Sequence, residues 1–117
     1  MTEKLAKNSK LLRIFIGEQD KVGHRPLYEA LVYEARKRGL AGATVLRGVL
    51  SFGASSRIHA AKLLELSTDL PIVVEIIDQT KTIDDFLSAA NQLIEEAGCG
   101  ALVTLETIEV THYSPRK

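Results

Sequence analysis

Arg47 beside Gly48, Arg57 with His59 close behind it, and Gly98 and Gly100 around Cys99 are the positions best suited to chemistry in this 117-residue chain. Arg47 could anchor a phosphate from a strand, because a guanidinium offers several N–H donors in a fixed fork. It would equally serve as a solvated charge on an edge strand. Gly48 and Gly53 frame the end of that strand, and a glycine inside a strand signals a bulge or close approach to the backbone. Arg57 and His59 fall on a long connection, where they could sense a ligand or a partner; His59 could also simply bond its own backbone. Gly98 and Gly100 could cradle an anion with successive N–H groups, or only stop a helix and turn the chain.

Other candidates lead less far. His24 and Glu18 are possible metal ligands without defined partners, so no metal site is expected. Cys99 has no basic neighbour in sequence to lower its pKa and reads as an inert thiol. A catalytic base would need burial or a partner to poise it. His24, His59, His112 and Glu75 are available, but no two form a dyad at recognisable spacing, so no catalytic residue is assigned. The run Arg36, Lys37, Arg38 suits a helix C-terminus better than a nucleic-acid patch.

The elements that must position these residues follow from periodicity. Residues 1–10 are polar and form a tail. Leu11 to Gly17 alternates as a strand, with Leu12, Ile14 and Ile16 on one face and Leu11 and Phe15 on the other. A charged loop, 18–24, leads to Pro26 at the first position of a helix that runs to about Arg38. Leu27, Ala30, Leu31 and Ala35 form its apolar stripe, and Gly39 is its expected terminator. A second strand spans Thr44 to Phe52. The connection 54–70 is longer than most compact domains hold without a reason. A few turns capped by Ser55 or Ser56, or a hairpin extension, would both fit it. Pro71 opens a third strand through Asp78. Gln79 to Thr82 make a turn, and Ile83 to Ala97 form a second helix. A last strand runs from Leu102 to about Tyr113, with a bulge or strong twist expected near 105–107. Residues 114–117 are a short tail.

Composition sets the boundaries. Fifteen basic and fifteen acidic residues cancel, so nothing marks the chain for nucleic acid or an anionic membrane. No apolar run approaches the roughly 20 residues of a spanning helix, and direct membrane insertion is not expected. The polar start lacks the apolar core of a secretion signal. One cysteine and no leader suggest the cytoplasm.

The order βαββαβ predicts an α+β fold, the ferredoxin-like sandwich, over residues 11–113. Both helices then cover one face of a four-stranded antiparallel sheet. The first and third strands are the central pair, and Leu11, Phe15, Val73 and Ile77 lie on the uncovered face. Such an apolar patch marks an interface, so an oligomer is expected. Arg13 and Glu75, the charges on that face of the two central strands, could pair across the sheet and set register, or be two unrelated charges at a wet rim.

These residues resemble the PII-like signal-transduction proteins, and more narrowly the family named domain of unknown function 190. The resemblance lies in Leu12 to Glu18, Pro26 to Tyr28, Gly39 with Gly42 to Val45, Arg47-Gly48, Phe52-Gly53, Ile58-His59, Leu66-Ser67, Asp69 to Pro71 and Ile77-Asp78, and it spans residues 11–113. It implies a homotrimer whose sheets pack around an axis, with a nucleotide in the cleft between subunits. The ligand would meet Gly48 to Gly53 and the loop beyond, then Gly98 to Gly100, then the region of His112, Tyr113 and Arg116. The glycine loop is short here and followed by Ala101, where PII proteins have a longer loop and a lysine. Their paired arginines are replaced by Thr111, His112 and Tyr113, and 54–70 holds no tyrosine for modification. Fewer donors converge, so a nucleoside monophosphate or cyclic nucleotide suits the chain better than a triphosphate.

The function expected is a regulator without enzymatic activity or cofactor. It binds a nucleotide-like ligand and presents loop 54–70 to a partner, such as a membrane transporter or channel. The alternatives are a ligand-free adaptor subunit and a small ferredoxin-like enzyme.

Overall fold

A computed structural model of the chain describes residues 8–48 and 70–116. Within them the order is β1 (Ser9–Gly17), β2 (Lys21–Val22), β3 (Arg25–Pro26), α1 (Leu27–Lys37), β4 (Thr44–Arg47), β5 (Pro71–Gln79), α2 (Thr80–Ala97) and β6 (Leu102–Ile108). The four long strands form one antiparallel sheet in the order β4-β5-β1-β6, with β1 and β5 central as expected. The ferredoxin-like α+β reading holds.

Side chains alternate along each strand, so every second residue faces the helices. Leu12, Ile14 and Ile16 of β1 meet Ile72, Val74 and Ile76 of β5 there, all buried. Leu27 and Leu31 of α1 and Ile83, Phe86 and Ala90 of α2 close over them. Each of these Leu, Ile, Val and Phe side chains contributes roughly 1.5–3 kcal/mol on burial. The two helices end on glycines or near them, where the chain must turn back sharply. Gly39 at φ 79° follows α1, and Gly98 at φ 64° caps α2, a left-handed conformation that costs glycine nothing sterically.

Several boundaries differ from the sequence reading. The loop 18–24 is part of a small hairpin, Lys21–Val22 against Arg25–Pro26, fastened to α1 by Arg25 stacking 4.5 Å above the Tyr33 ring. Pro26 is therefore the extended residue before the helix, not its first residue. No turn separates β5 from α2. Gln79 is still extended and Thr80 already helical, because the Thr80 N–H and hydroxyl both donate to the Asn8 carbonyl. Thr82, placed by the sequence in a turn, lies within the first turn of the helix. The last strand stops at Ile108 instead of Tyr113: its final partner is Ser9, where β1 begins. Its pairing with β1 is unbroken from Ile108 to Leu102, without the expected bulge. The far end of the second strand, 49–52, and most of the connection 54–70 lie outside the described residues.

Asp78 is the one acid fully buried among the described residues. Its carboxylate accepts from the Ala41 N–H at 2.8 Å and the Gln79 N–H at 2.7 Å. It thereby ties the turn after α1 to the junction of β5 and α2, satisfying polar groups that burial would otherwise penalise.

Candidate ligand site

The sequence singles out residues at both edges of the sheet, and the fold brings them to one end of it. Arg47 and Gly48 close β4 on one edge, while Gly98 to Gly100 precede β6 on the other. Between them lie the ends of the central strands, Gly17 and Pro71, which pair with each other. Three strand spacings separate the edges, roughly 14 Å. A ligand touching both must lie across the end of the sheet.

Gly48 fulfils the expectation of close approach, and its neighbour is Pro71. The Gly48 N–H donates to the Pro71 carbonyl at 2.7 Å, and a Cβ at Gly48 would stand 2.9 Å from the Pro71 Cγ. The glycine is needed for packing at this corner. Arg47 is 59% exposed at its side chain and donates from Nη2 to the carboxylate of Glu18. Sequence reasoning considered Glu18 only as a metal ligand. Its role beside Arg47 depends on a pairing across two strands that no local signal announces.

Gly98 contributes less than expected to an anion cradle. Its N–H already donates to the carbonyls of Ile94 and Glu95, both at 3.1 Å, as a helix C-cap requires. Cys99 beside it is half-buried and faces Asp20. Burial, the Asp20 charge and a hydrogen bond to Asp20 push the thiol up to about 11, in keeping with an inert cysteine. Asp20 also accepts from the Gly17 N–H at 2.7 Å, so the acid belongs to the same end of the sheet. Gly53, Arg57 and His59 lie outside the described residues. His112 is exposed and shares a hydrogen bond with Ser114 at 2.9 Å.

The open face of the sheet forms a second candidate surface. Phe15, Leu46, Ile77 and Leu102 stand on it exposed, with Val73 half-buried among them. Leu11 differs from expectation in being already covered within the chain, at 9% exposure, flanked in register by Ile77 and Glu106. Arg13 and Glu75 sit directly opposite each other and pair at 3.0 Å. Glu106 of β6 joins them at 3.2 Å, a third member the sequence reading missed. The hydrogen bond that Arg13 donates to Glu75, and then the charges of both acids, raise the pKa of the Arg13 guanidinium. Glu75, once a candidate base, is thus held by a cation.

Known structures share this fold. CPII of Thiomonas intermedia K12, a nitrogen regulatory PII-like protein solved with ADP, AMP and bicarbonate, superposes with a TM-score of 0.67. The identity is 16%, over 89% of each chain. A protein of Thermus thermophilus described as PII-like signaling superposes at 0.58, with 19% identity over 91% of this chain and 93% of the other. The fold is PII-like. The family model DUF190, described as "Uncharacterized ACR, COG1993", matches residues 9–110, and the chain belongs to that family. A UPF0166 protein of Aquifex aeolicus is 40% identical over 103 residues, covering 88% of this chain and 93% of its own. Another, from Methanocaldococcus jannaschii, is 27% identical over 77% of this chain and 82% of its own.

Proposed function

We propose that this protein is a non-enzymatic PII-like regulator that binds a nucleotide-like anion at the β4/β6 end of its sheet. The observation that supports the reading most is the convergence there of Arg47, Gly48 and the Gly98–Gly100 turn, residues chosen from sequence for ligand chemistry. The PII-like CPII structure with ADP and AMP bound supports a ligand of the same class. The chain assembles as a homotrimer through its open sheet face, which completes the cleft between subunits and covers Phe15 and Ile77. It works in the cytoplasm without a cofactor, and loop 54–70 carries the signal to a partner protein such as a membrane transporter or channel.

A thermal-shift panel of adenine and guanine nucleotides, cyclic forms included, with and without magnesium, tests this. A ligand at about a hundred times its dissociation constant adds roughly 2.7 kcal/mol and raises Tm visibly. One nucleotide giving such a shift identifies the signal, and hydrogen exchange then shows protection in 54–70. A panel without any shift overturns the sensor reading in favour of a protein-only adaptor. A monomeric mass by light scattering at micromolar concentration overturns the trimer.

A further inference from the structure

Glu18 touches both strands that border the ligand end of the sheet on the β4 side. Its backbone N–H donates to the Leu70 carbonyl at 2.8 Å, just before β5. Its carboxylate accepts from Nη2 of Arg47, the last residue of β4. The two side chains differ in freedom: Glu18 is 18% exposed and Arg47 59%. The acid is thus the fixed member of the pair, and the arginine keeps most of its donors toward solvent.

We propose that Glu18 is an internal competitor for Arg47 and thereby sets the charge selectivity of the ligand site. The inference rests on the reading of Arg47 as a phosphate contact. A carboxylate and a phosphate oxygen seek the same guanidinium N–H groups. An incoming phosphate must therefore share or displace Glu18, and it does so against the negative charge that Glu18 holds at the contact. That repulsion grows with the charge on the ligand. The site consequently disfavours a triphosphate more than a monophosphate, although Arg47 by itself would favour the more highly charged species. Glu18 achieves this from outside the glycine turn, on a strand end that no phosphate-binding motif marks.

Calorimetric titration of wild type, E18Q, E18D and R47Q with AMP, ADP and ATP tests the inference. Glutamine keeps the shape and the backbone N–H, removing only the charge. E18Q should tighten ATP about fivefold and AMP about twofold, the size expected of one partly exposed ion pair. E18D, which keeps the charge, should retain the wild-type order of affinities. R47Q should weaken all three ligands. An ion pair with a merely structural role would lower Tm in E18Q without changing the ratio of ATP to AMP affinity. That unchanged ratio, with R47Q still weakening binding, overturns the competitor role and leaves the ligand site standing. Wild-type binding that R47Q does not affect overturns the inference and the Arg47 contact together. If none of the three nucleotides binds wild type or E18Q, the inference falls, while the nucleotide reading still stands on the guanine and cyclic forms of the thermal-shift panel. Binding by E18Q where wild type shows none supports it.

Discussion

On the covered face of the sheet, Leu12, Ile14, Val74 and Ile76 are fully buried under α1 and α2. On the other face of the same strands, Phe15 and Ile77 are exposed beside the paired charges of Arg13, Glu75 and Glu106. The strands are shared, so the difference lies only in alternate residues. Purely aliphatic and aromatic packing on one side supplies free energy without requiring a particular partner. A directional ion cluster among apolar side chains does the reverse. It adds little stability in water but fits only a surface that satisfies its charges. The first face makes the subunit; in the proposed trimer the second would choose what the subunit meets.

The contrast can be broken most severely from the covered side. Phe86→Ala removes the largest fully buried side chain among the described residues and should cost about 3–5 kcal/mol, read from the denaturant midpoint. A loss under about 1 kcal/mol would show that the helices are not what holds the sheet. Arg13→Ala tests the open side. If association covers that face, Glu75 and Glu106 lose their cation out of water, and Tm should fall clearly below wild type. A Tm equal to wild type at every protein concentration would mark the cluster as permanently solvated. Gly48→Ala acts at the corner of the sheet where Gly48 meets Pro71. Its methyl group would crowd the Pro71 ring, and about 1–3 kcal/mol is expected from the strain. A Tm equal to wild type would mean that the Pro71 corner yields freely.

The smallest effect concerns Cys99 and Asp20. With the thiol raised to about 11 from a reference of 9.0, alkylation at neutral pH should be slow, and the rate should climb only toward pH 11. The sign for stability follows: the folded chain holds the proton more tightly than the unfolded one. That contribution is complete below about pH 9 and disappears as pH rises through about 11. Asp20→Asn removes a neighbouring charge and should move the alkylation midpoint downward. An unmoved midpoint would assign the whole shift to burial.

The parts of the fold visible in sequence are those set by local periodicity and backbone geometry. Leu12, Ile14 and Ile16 alternate against Leu11 and Phe15, and Gly39 and Gly98 occupy positive φ where the helix patterns stop. Adjacent placement of Arg13 and Glu75 was accessible too, because the two central strands follow from topology. What escaped depends on contacts between distant residues. The early start of α2 rests on the Asn8 carbonyl, and the early end of β6 on where β1 begins. The hairpin at 21–26 has no strand-forming pattern of its own and leans on α1 through Arg25 and Tyr33. Within the candidate site, the residue types at Arg47, Gly48 and Gly98 suggested ligand chemistry, but the attachment of Glu18 to Arg47 and Leu70 emerges only from the folded chain.

The central position of β1 has a consequence for synthesis. Both of its neighbours, β5 and β6, lie in the second half of the chain, and its last residue, Gly17, pairs with Pro71. A ribosome adding about 5–20 residues per second leaves that strand without a sheet partner for roughly 3–10 s. Contacts so distant along the chain also slow folding once synthesis is complete. Among the described helices, α1 alone is made during the interval. Nascent chains arrested before residue 71 should therefore be cut readily within β1 by protease, and chains extended beyond Ile108 should resist.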